Sequence, residues 1–146
     1  MAEFFGYNKV LSVAILSWTV AQIIKIIIEL IRNGKLDLEL MMSSGGMPSS
    51  HSSTITACAA AIGFQNGFNS DIFALATIVS FIVMYDASGV RRQAGLHAKL
   101  LNSIVKKFED HNFNVTDDLK ELLGHTPVQV ISGALLGILI ACLVYN

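Results

Sequence analysis

One stretch decides how this chain is organised: Gly45-Gly46-Met47-Pro48-Ser49-Ser50-His51-Ser52-Ser53, which lies between two apolar runs. Its two glycines free the backbone, and Pro48 fixes φ at a value suited to the first turn of a helix. The serines and His51 follow where a helix leaves its first N–H groups without intrahelical partners. Such a terminus binds anions, and a histidine there can donate a proton to a leaving group. A serine-capped helix start after a flexible loop is the simpler alternative, but the glycine pair and His51 together favour phosphate chemistry.

The composition points to a membrane protein. Hydrophobic residues make up 53% of the 146 residues and charged residues only 14%, whereas a soluble domain carries about 25% charged residues. The length predicts one domain, residues 1–146. A net charge of −1 argues against a nucleic-acid partner, which requires a basic surface. Cys58 and Cys142 lie inside apolar runs without metal-ligand or redox spacing, so we interpret them as small buried apolar residues.

Four apolar runs predict an all-α integral membrane bundle of about four transmembrane helices, at residues 10–31, 53–68, 72–84 and 127–145. The first has the length that a helix needs to cross the hydrocarbon core, and Asn33-Gly34 is its stop signal. The last begins with Thr126 as the cap and Pro127 at its first position. Its Gly133-x-x-x-Gly137 spacing predicts tight packing against a neighbouring helix.

A further helix is predicted to lie along the membrane surface. Apolar residues recur at helical spacing, with polar residues opposite them; the apolar ones are Leu100, Leu101, Ile104, Val105 and Phe108, and the polar ones Lys99, Ser103, Lys106 and Lys107. Residues 36–42 read as a short interfacial segment. Thr116 reads as the N-cap of a short helix that ends at Gly124.

An even number of crossings places both termini on one side of the membrane and loops 32–52 and 89–126 together on the other. This topology brings basic residues, two histidines and two helix N-termini to one face of the bundle, a combination suited to a phosphate oxyanion. The residues concerned are Lys25, Arg32, Ser49, Ser50, His51, Asp86, Arg91, Arg92 and His125. Asp86 is either an ordinary charged helix boundary or a carboxylate that orients an arginine in the site.

These motifs resemble the type 2 phosphatidic acid phosphatase and vanadium haloperoxidase superfamily, and most closely its divergent branch of acid phosphatase/vanadium-dependent haloperoxidase-related proteins. Lys25 and Arg32 have the spacing of the first superfamily motif, with Asn33 in place of a proline. Residues 48–51 match its Pro-Ser-Gly-His motif, with Ser50 in place of glycine.

The third superfamily motif joins an arginine to a histidine that has an acid four residues later. Here His125 is followed by Gln129, an amide, and Leu119 stands at the arginine position. The divergent branch takes that arginine from a segment that residues 85–92 match, and it has the Gly-His-Thr-Pro segment found at 124–127. A competing alignment pairs Arg91 with His97; we favour His125 because it lies at a helix N-terminus.

The resemblance implies that His125 attacks phosphorus and forms a phosphohistidine, and that His51 protonates the leaving group. It implies no metal and no cofactor, because cations and amides stabilise the oxyanion. Those groups are Lys25, Arg32 and Arg91 with the backbone at Ser49 and Ser50, supported by Asp86, Arg92 and Gln129. Gln129 can fix the tautomer of His125 but contributes no charge.

The function predicted first is a membrane-bound phosphatase for a lipid phosphomonoester or diphosphate, of the phosphatidate or polyprenyl phosphate type. The alternative is a non-catalytic protein that binds or transports phosphorylated lipids. A metal site from His51, His97, His125 and Asp86 is disfavoured because no pair has ligand spacing on one helix. A homo-oligomer is compatible with either function.

Basic residues predict the orientation of this multi-pass protein in the cell membrane. On the side of the termini, Lys9 is the only basic residue outside the first span. Eight basic residues lie on the motif side: Arg32, Lys35, Arg91, Arg92, Lys99, Lys106, Lys107 and Lys120. Since basic loops stay in the cytoplasm, the active site is predicted to face the cytoplasm.

Overall fold

The computed structural model describes residues 8–34, 46–109 and 124–146, and in these ranges the chain is helical without any strand. The five helices are α1 (Lys9–Asn33), α2 (Ser50–Asn66), α3 (Asp71–Ser88), α4 (Val90–Glu109) and α5 (Pro127–Tyr145). The all-α prediction is confirmed. The predicted segment 36–42 and the helix from Thr116 to residue 123 lie outside the described residues.

The predicted end of α1 and the predicted start of α5 are confirmed. Gly34 caps α1 in the left-handed region, with φ 66, and its N–H donates to the Leu30 carbonyl. Thr126 is the N-cap of α5 and Pro127 its first residue. Both signals are local. Gly34 tolerates the positive φ that ends a helix, and Pro127 occupies a first helical position, where a missing N–H carries no penalty.

Helix α2 begins three residues earlier than predicted. Its N-cap is Ser49, whose side chain accepts from the Ser52 N–H, and Ser50 is its first residue. The expectation that Pro48 occupies the first turn is wrong, because Pro48 precedes the cap. Several serines in a row offer competing caps, and packing against α5 selects the first of them, as described below.

Helices α3 and α4 are both longer than predicted and are separated only at Gly89. On α4, Leu96, Leu100, Leu101 and Ile104 are exposed, whereas Asn102 is buried. A helix is therefore present over the predicted residues and begins at Val90, directly after α3, and its position along the membrane surface stays a prediction. Among the five helices, α4 contacts α3 alone.

Helix α2 is the centre of the bundle and packs against α1, α3 and α5. At one end, which we call the motif end, the Ser49 N–H donates to the Gln129 carbonyl at 3.0 Å. At the far end, the Tyr145 hydroxyl donates to the Gln65 side chain at 3.0 Å. Helices α2 and α5 thus run parallel, and the same number of residues separates the two contacts on each helix.

Helices α1 and α3 run in the opposite direction. Lys9, at the start of α1, lies over the Tyr145 ring at the far end, and Phe73, near the start of α3, packs edge-on against Phe68. Both helices therefore carry their C-terminal ends to the motif end, where α2 and α5 begin. The predicted convergence therefore holds for the ends of these helices within the described residues.

Small residues bring α2 and α5 into backbone contact. A Cβ at Gly133 would overlap the Ser49 carbonyl oxygen, and one at Gly137 would overlap that of Ser53. The Thr56 hydroxyl donates to the Ala134 carbonyl at 3.1 Å. The tight packing predicted from the glycine spacing is confirmed, and it fixes where α2 starts relative to α5.

Among the described residues, three helical segments are long and apolar enough to cross a membrane: Lys9–Arg32, Asp71–Ile104 and Pro127–Tyr145. Helix α2 has 17 residues, about 25 Å of helix, which is shorter than the hydrocarbon core of about 30 Å. The chain is a helical membrane protein whose shortest bundle helix packs against three longer ones.

Candidate active site

Two histidines meet at the motif end. His51 is the second residue of α2, and His125 immediately precedes the N-cap of α5. Their ring centroids are 6.2 Å apart, and the ring planes are inclined at 60°. Because α2 and α5 are parallel, the positive ends of two helix dipoles lie side by side at this histidine pair, where they favour a bound anion.

His125 is held by both its backbone and its ring. It is 3% exposed, and its N–H donates to the Ala87 carbonyl of α3 at 3.1 Å. Its Nδ1 lies 3.4 Å from Oε1 of Gln129. The bond to Ala87 connects the start of α5 to the end of α3, so three helices fix the position of this imidazole.

Gln129 determines the tautomer of His125. Its Oε1 accepts from the Thr126 N–H at 2.9 Å, and since a backbone N–H only donates, this contact identifies the amide atom as oxygen. An amide oxygen can only accept, so the bond to Nδ1 requires a proton on Nδ1. The neutral ring then carries its lone pair on Nε2, the nitrogen that would act as a nucleophile.

The same glutamine completes a capping box with Thr126, whose side chain accepts from the Gln129 N–H. This role was not predicted from the sequence, although Thr-x-x-Gln before an apolar run is the capping-box pattern. Gln129 therefore acts on the helix start and on the histidine together, and its position is set by the helix.

Lys25 reaches the start of α2 from α1. It is 3% exposed, and its Nζ donates to the Ser50 hydroxyl at 3.2 Å. The backbone at Gly46, with φ 90, lies against the lysine stem. An ionisable group this deeply buried in an apolar bundle is costly and usually marks function, so Lys25 is a candidate ligand for an anion at the histidine pair.

The two predicted phosphate-binding serines occupy different positions. The Ser49 N–H donates to the Gln129 carbonyl, and the Ser49 hydroxyl accepts from the Ser52 hydroxyl. The Ser50 hydroxyl accepts from Lys25, and Ser50 opens the first turn of α2. Ser49 therefore joins α2 to α5, whereas Ser50 faces the lysine.

Asp86 and His51 line one pocket of about 240 Å³, together with Ile82, Val83 and Ala87. This pocket places the Asp86 carboxylate beside the site, as one of the two sequence interpretations requires. His97, the alternative partner of Arg91, is exposed on α4, whereas His125 is the histidine in ring contact with His51.

The predicted arginines lie in terminal turns of helices at the motif end. Arg32 is exposed in the last turn of α1, seven residues or about 10 Å along the axis from Lys25. Arg91 and Arg92 lie in the first turn of α4, directly after the residues that line the pocket, and their side chains fall outside the described part of the structure.

In the described ranges, no group of three or more His, Cys, Asp or Glu side chains is arranged to hold a metal ion. The chemistry that the described site offers is a lone pair at His125, a second imidazole at His51 and a buried ammonium at Lys25. Together these groups can attack, protonate and neutralise a phosphoryl group.

Comparison with known proteins identifies the family. A family model described as the divergent PAP2 family matches residues 6–140. The chain belongs to this family. The uncharacterized membrane protein YuiD of Bacillus subtilis (strain 168) is 42% identical over 131 residues, which cover 82% of this chain and 83% of the relative. No solved structure matches the chain.

Membership of the divergent PAP2 family confirms that the chain is related to PAP2 proteins, as the resemblance implies. The matched region includes α1, α2, α3 and α4 and most of α5, and with them every residue of the candidate site.

Proposed function

We propose that this protein is a membrane-bound phosphatase that hydrolyses a lipid phosphomonoester or diphosphate through a phosphohistidine. The observation that carries the proposal is the contact of His51 with His125 at the start of two parallel helices, with their ring centroids 6.2 Å apart. The buried Lys25 beside Ser50 supports it, because it supplies positive charge in the same turn.

In the proposed reaction, Nε2 of His125 attacks phosphorus, so that a P–N bond forms and the P–O bond to the lipid breaks. His51 gives its proton to the leaving oxygen, and neutral His51 then takes a proton from the water that cleaves the P–N bond. Inorganic phosphate leaves, and His125 is regenerated with its lone pair on Nε2.

The charge that develops on the phosphoryl oxygens needs fixed cations and donors. We assign this role to Lys25, Arg32 and Arg91, together with the backbone at Ser50. Ser49 supports the site indirectly in this scheme, because its N–H and hydroxyl are engaged within the protein. Arg92 remains a supporting residue.

Gln129 holds Nδ1–H of His125 without adding charge to balance the imidazolium. We propose that Asp86 supplies negative charge instead. It lines the His51 pocket, and on α3 it directly precedes Ala87, whose carbonyl accepts from the His125 N–H.

The proposed topology has four crossings. Helix α2 lies along α5 from the Ser49–Gln129 contact to the Gln65–Tyr145 contact, so α2 passes through the same depth as a helix long enough to span. The count of basic residues then predicts that the motif end faces the cytoplasm.

Cysteine labelling in intact cells tests this topology. In a background with Cys58→Ser and Cys142→Ser, a cysteine at exposed Asn69 of the far end should react with an impermeant maleimide. A cysteine at exposed Met47 of the motif end should react only after the cells are permeabilised. The reverse pattern would overturn the cytoplasmic site, and labelling of both in intact cells would overturn the four crossings.

The second candidate function is binding or transport of phosphorylated lipids without hydrolysis. Two observations favour it: the partner of His125 is an amide, and Nε2 of His125 is fully buried. A non-catalytic protein needs the anion site but neither a charged partner nor an accessible nucleophile.

Phosphate release from purified protein separates the two functions. The phosphatase predicts release from phosphatidate or a polyprenyl phosphate that resists EDTA and is inhibited by vanadate. Saturable binding of the same lipids without any release would support the binding protein and contradict the phosphatase.

A further inference from the structure

One side of α2 is not covered by the other described helices. Helices α1 and α3 both pack against α2, yet they make no contact with each other in the described ranges. The side of α2 between them carries His51, Ile55, Cys58 and Ile62, whose spacing places them on one helical face. The last three are half-buried. We call this channel the α1–α3 groove.

The groove begins at the candidate site. At the motif end, α2 and α3 line a pocket of about 240 Å³ that contains His51 and Asp86 and has apolar walls from Ile82 and Val83. Ala87 also lines it, and the Ala87 carbonyl accepts from the backbone of His125. Polar, ionisable groups at one end and apolar groups along the rest suit an amphiphile with an anionic head.

A second, larger cleft lies on the other side of α3. It has a volume of about 380 Å³ and is formed by α2, α3 and α5, with Thr56, Ala59, Ala60, Phe81 and Met84 among its lining residues. Neither histidine and no ionisable side chain lines it. Size alone would favour this cleft, but His51 lines the smaller pocket at the motif end of the α1–α3 groove and not the larger cleft.

We propose that the α1–α3 groove holds the hydrocarbon chain of a phosphorylated lipid whose phosphate lies at the histidine pair, so that the lipid enters sideways from the bilayer. This inference rests on the proposed function for the identity of the headgroup. From His51 to Ile62 the groove follows eleven residues of helix, about 16 Å. The ligand class is therefore a phosphate ester or diphosphate of a long, membrane-embedded chain.

Cys58 reports on the groove without requiring catalysis. In a Cys142→Ser protein, Cys58 is the remaining cysteine, and hexadecyl phosphate should slow its reaction with N-ethylmaleimide. Butyl phosphate should protect far less, because Cys58 lies seven residues or about 10 Å along α2 from His51, and a four-carbon chain ends before it. Inorganic phosphate and hexadecanol should give little protection, since each supplies only one half of the ligand.

The matched control is the Cys58→Ser protein, in which Cys142 of α5 remains and should be labelled at the same rate with or without lipid. Equal protection of both cysteines would overturn the proposal, as would equal protection by butyl and hexadecyl phosphate. Protection that depends on protein concentration without lipid would assign the groove to a second copy of the chain and would also overturn it.

A pair of bulky substitutions tests the groove through activity. Cys58→Phe and Ala60→Phe enlarge half-buried residues two positions apart, the first in the groove and the second in the larger cleft. Cys58→Phe should lower hydrolysis of hexadecyl phosphate about tenfold relative to p-nitrophenyl phosphate, because chain burial is lost. Ala60→Phe should leave that ratio unchanged.

A change of the ratio in Ala60→Phe alone would place the chain in the larger cleft and contradict the proposal. If the wild-type protein hydrolyses neither compound, the proposed function fails, and protection of Cys58 by hexadecyl phosphate still decides the groove. The same labelling result decides it if Cys58→Phe does not fold.

Discussion

The two ends of the bundle use lysine in opposite ways. Lys9, at the start of α1, is half-exposed and lies 3.9 Å from the centre of the Tyr145 ring. Lys25, sixteen residues later on the same helix, is 3% exposed and donates to the Ser50 hydroxyl. A cation over an aromatic ring at a helix end anchors structure, whereas a buried ammonium beside two helix N-termini is arranged for an anion.

The aromatic residues strengthen this contrast. Phe64 stacks on Tyr145, and Phe68 packs edge-on against both Phe64 and Phe73 at the far end. At the motif end, the ring pair is His51 with His125. The far end is stabilised by apolar rings, and the motif end keeps polar groups close together at a cost in stability. The comparison predicts that substitutions at the two ends separate activity from stability.

The largest effect is expected at the histidine pair. His125→Ala and His51→Ala should each lower phosphate release from a lipid phosphate by at least about a thousandfold, because the nucleophile or the proton donor is lost. His97→Ala, on exposed α4, should retain activity. Near-normal turnover by the His125→Ala protein would refute the nucleophile assignment, and equal loss in His97→Ala would revive the competing alignment.

The two lysines test the comparison directly. Lys25→Met keeps an unbranched side chain but removes the charge, and we expect kcat to fall about a hundredfold, as when one oxyanion donor is removed. Lys9→Met loses a cation–π contact worth about 0.5–1 kcal/mol and should change kcat by less than about twofold. Steady-state kinetics and thermal unfolding in detergent measure both; equal losses of kcat would end the functional distinction.

Gln129→Glu should raise turnover by roughly threefold to tenfold, because a carboxylate forms a stronger, charge-assisted bond to the Nδ1–H of His125. Glutamate also preserves the capping box, so the helix start is held constant. A lower rate in a folded Gln129→Glu protein would show that another acid already balances the imidazolium. In that case Asp86→Asn should be the more damaging substitution.

The smallest effect is expected from Tyr145→Phe. It removes the hydrogen bond to Gln65 at the far end and should lower the free energy of unfolding by about 1 kcal/mol. Phosphate release should be unchanged. A loss of activity larger than the loss of stability would show that the far end contributes to the site.

Signals that act within one turn were predictable from the sequence. Asn33-Gly34 ends α1, Thr126-Pro127 begins α5, and Gly133 with Gly137 marks a close contact. The start of α2 was predicted three residues late, because the choice of Ser49 as the cap depends on its bond to the Gln129 carbonyl in a distant helix.

The candidate site was predictable to the level of which segments converge. Alternating helix directions bring Lys25, His51 and His125 to one end, and the contacts Lys25–Ser50 and His51–His125 agree with that expectation. The partner of each group was less accessible. The shared role of Gln129 and the pocket between His51 and Asp86 arise from how α3 meets α5, which no local pattern encodes.

The central claim is that His125 becomes covalently phosphorylated. Purified protein mixed with a phosphorus-labelled lipid phosphate and quenched in alkali should carry label in a bond that acid destroys, as expected for a phosphoramidate. Peptide mapping should place that label on His125, and the His125→Ala protein should retain none. A label that survives acid, or a label on another residue, would contradict the mechanism. Turnover without any trapped intermediate, in the wild type and in the His51→Ala protein alike, would also contradict it.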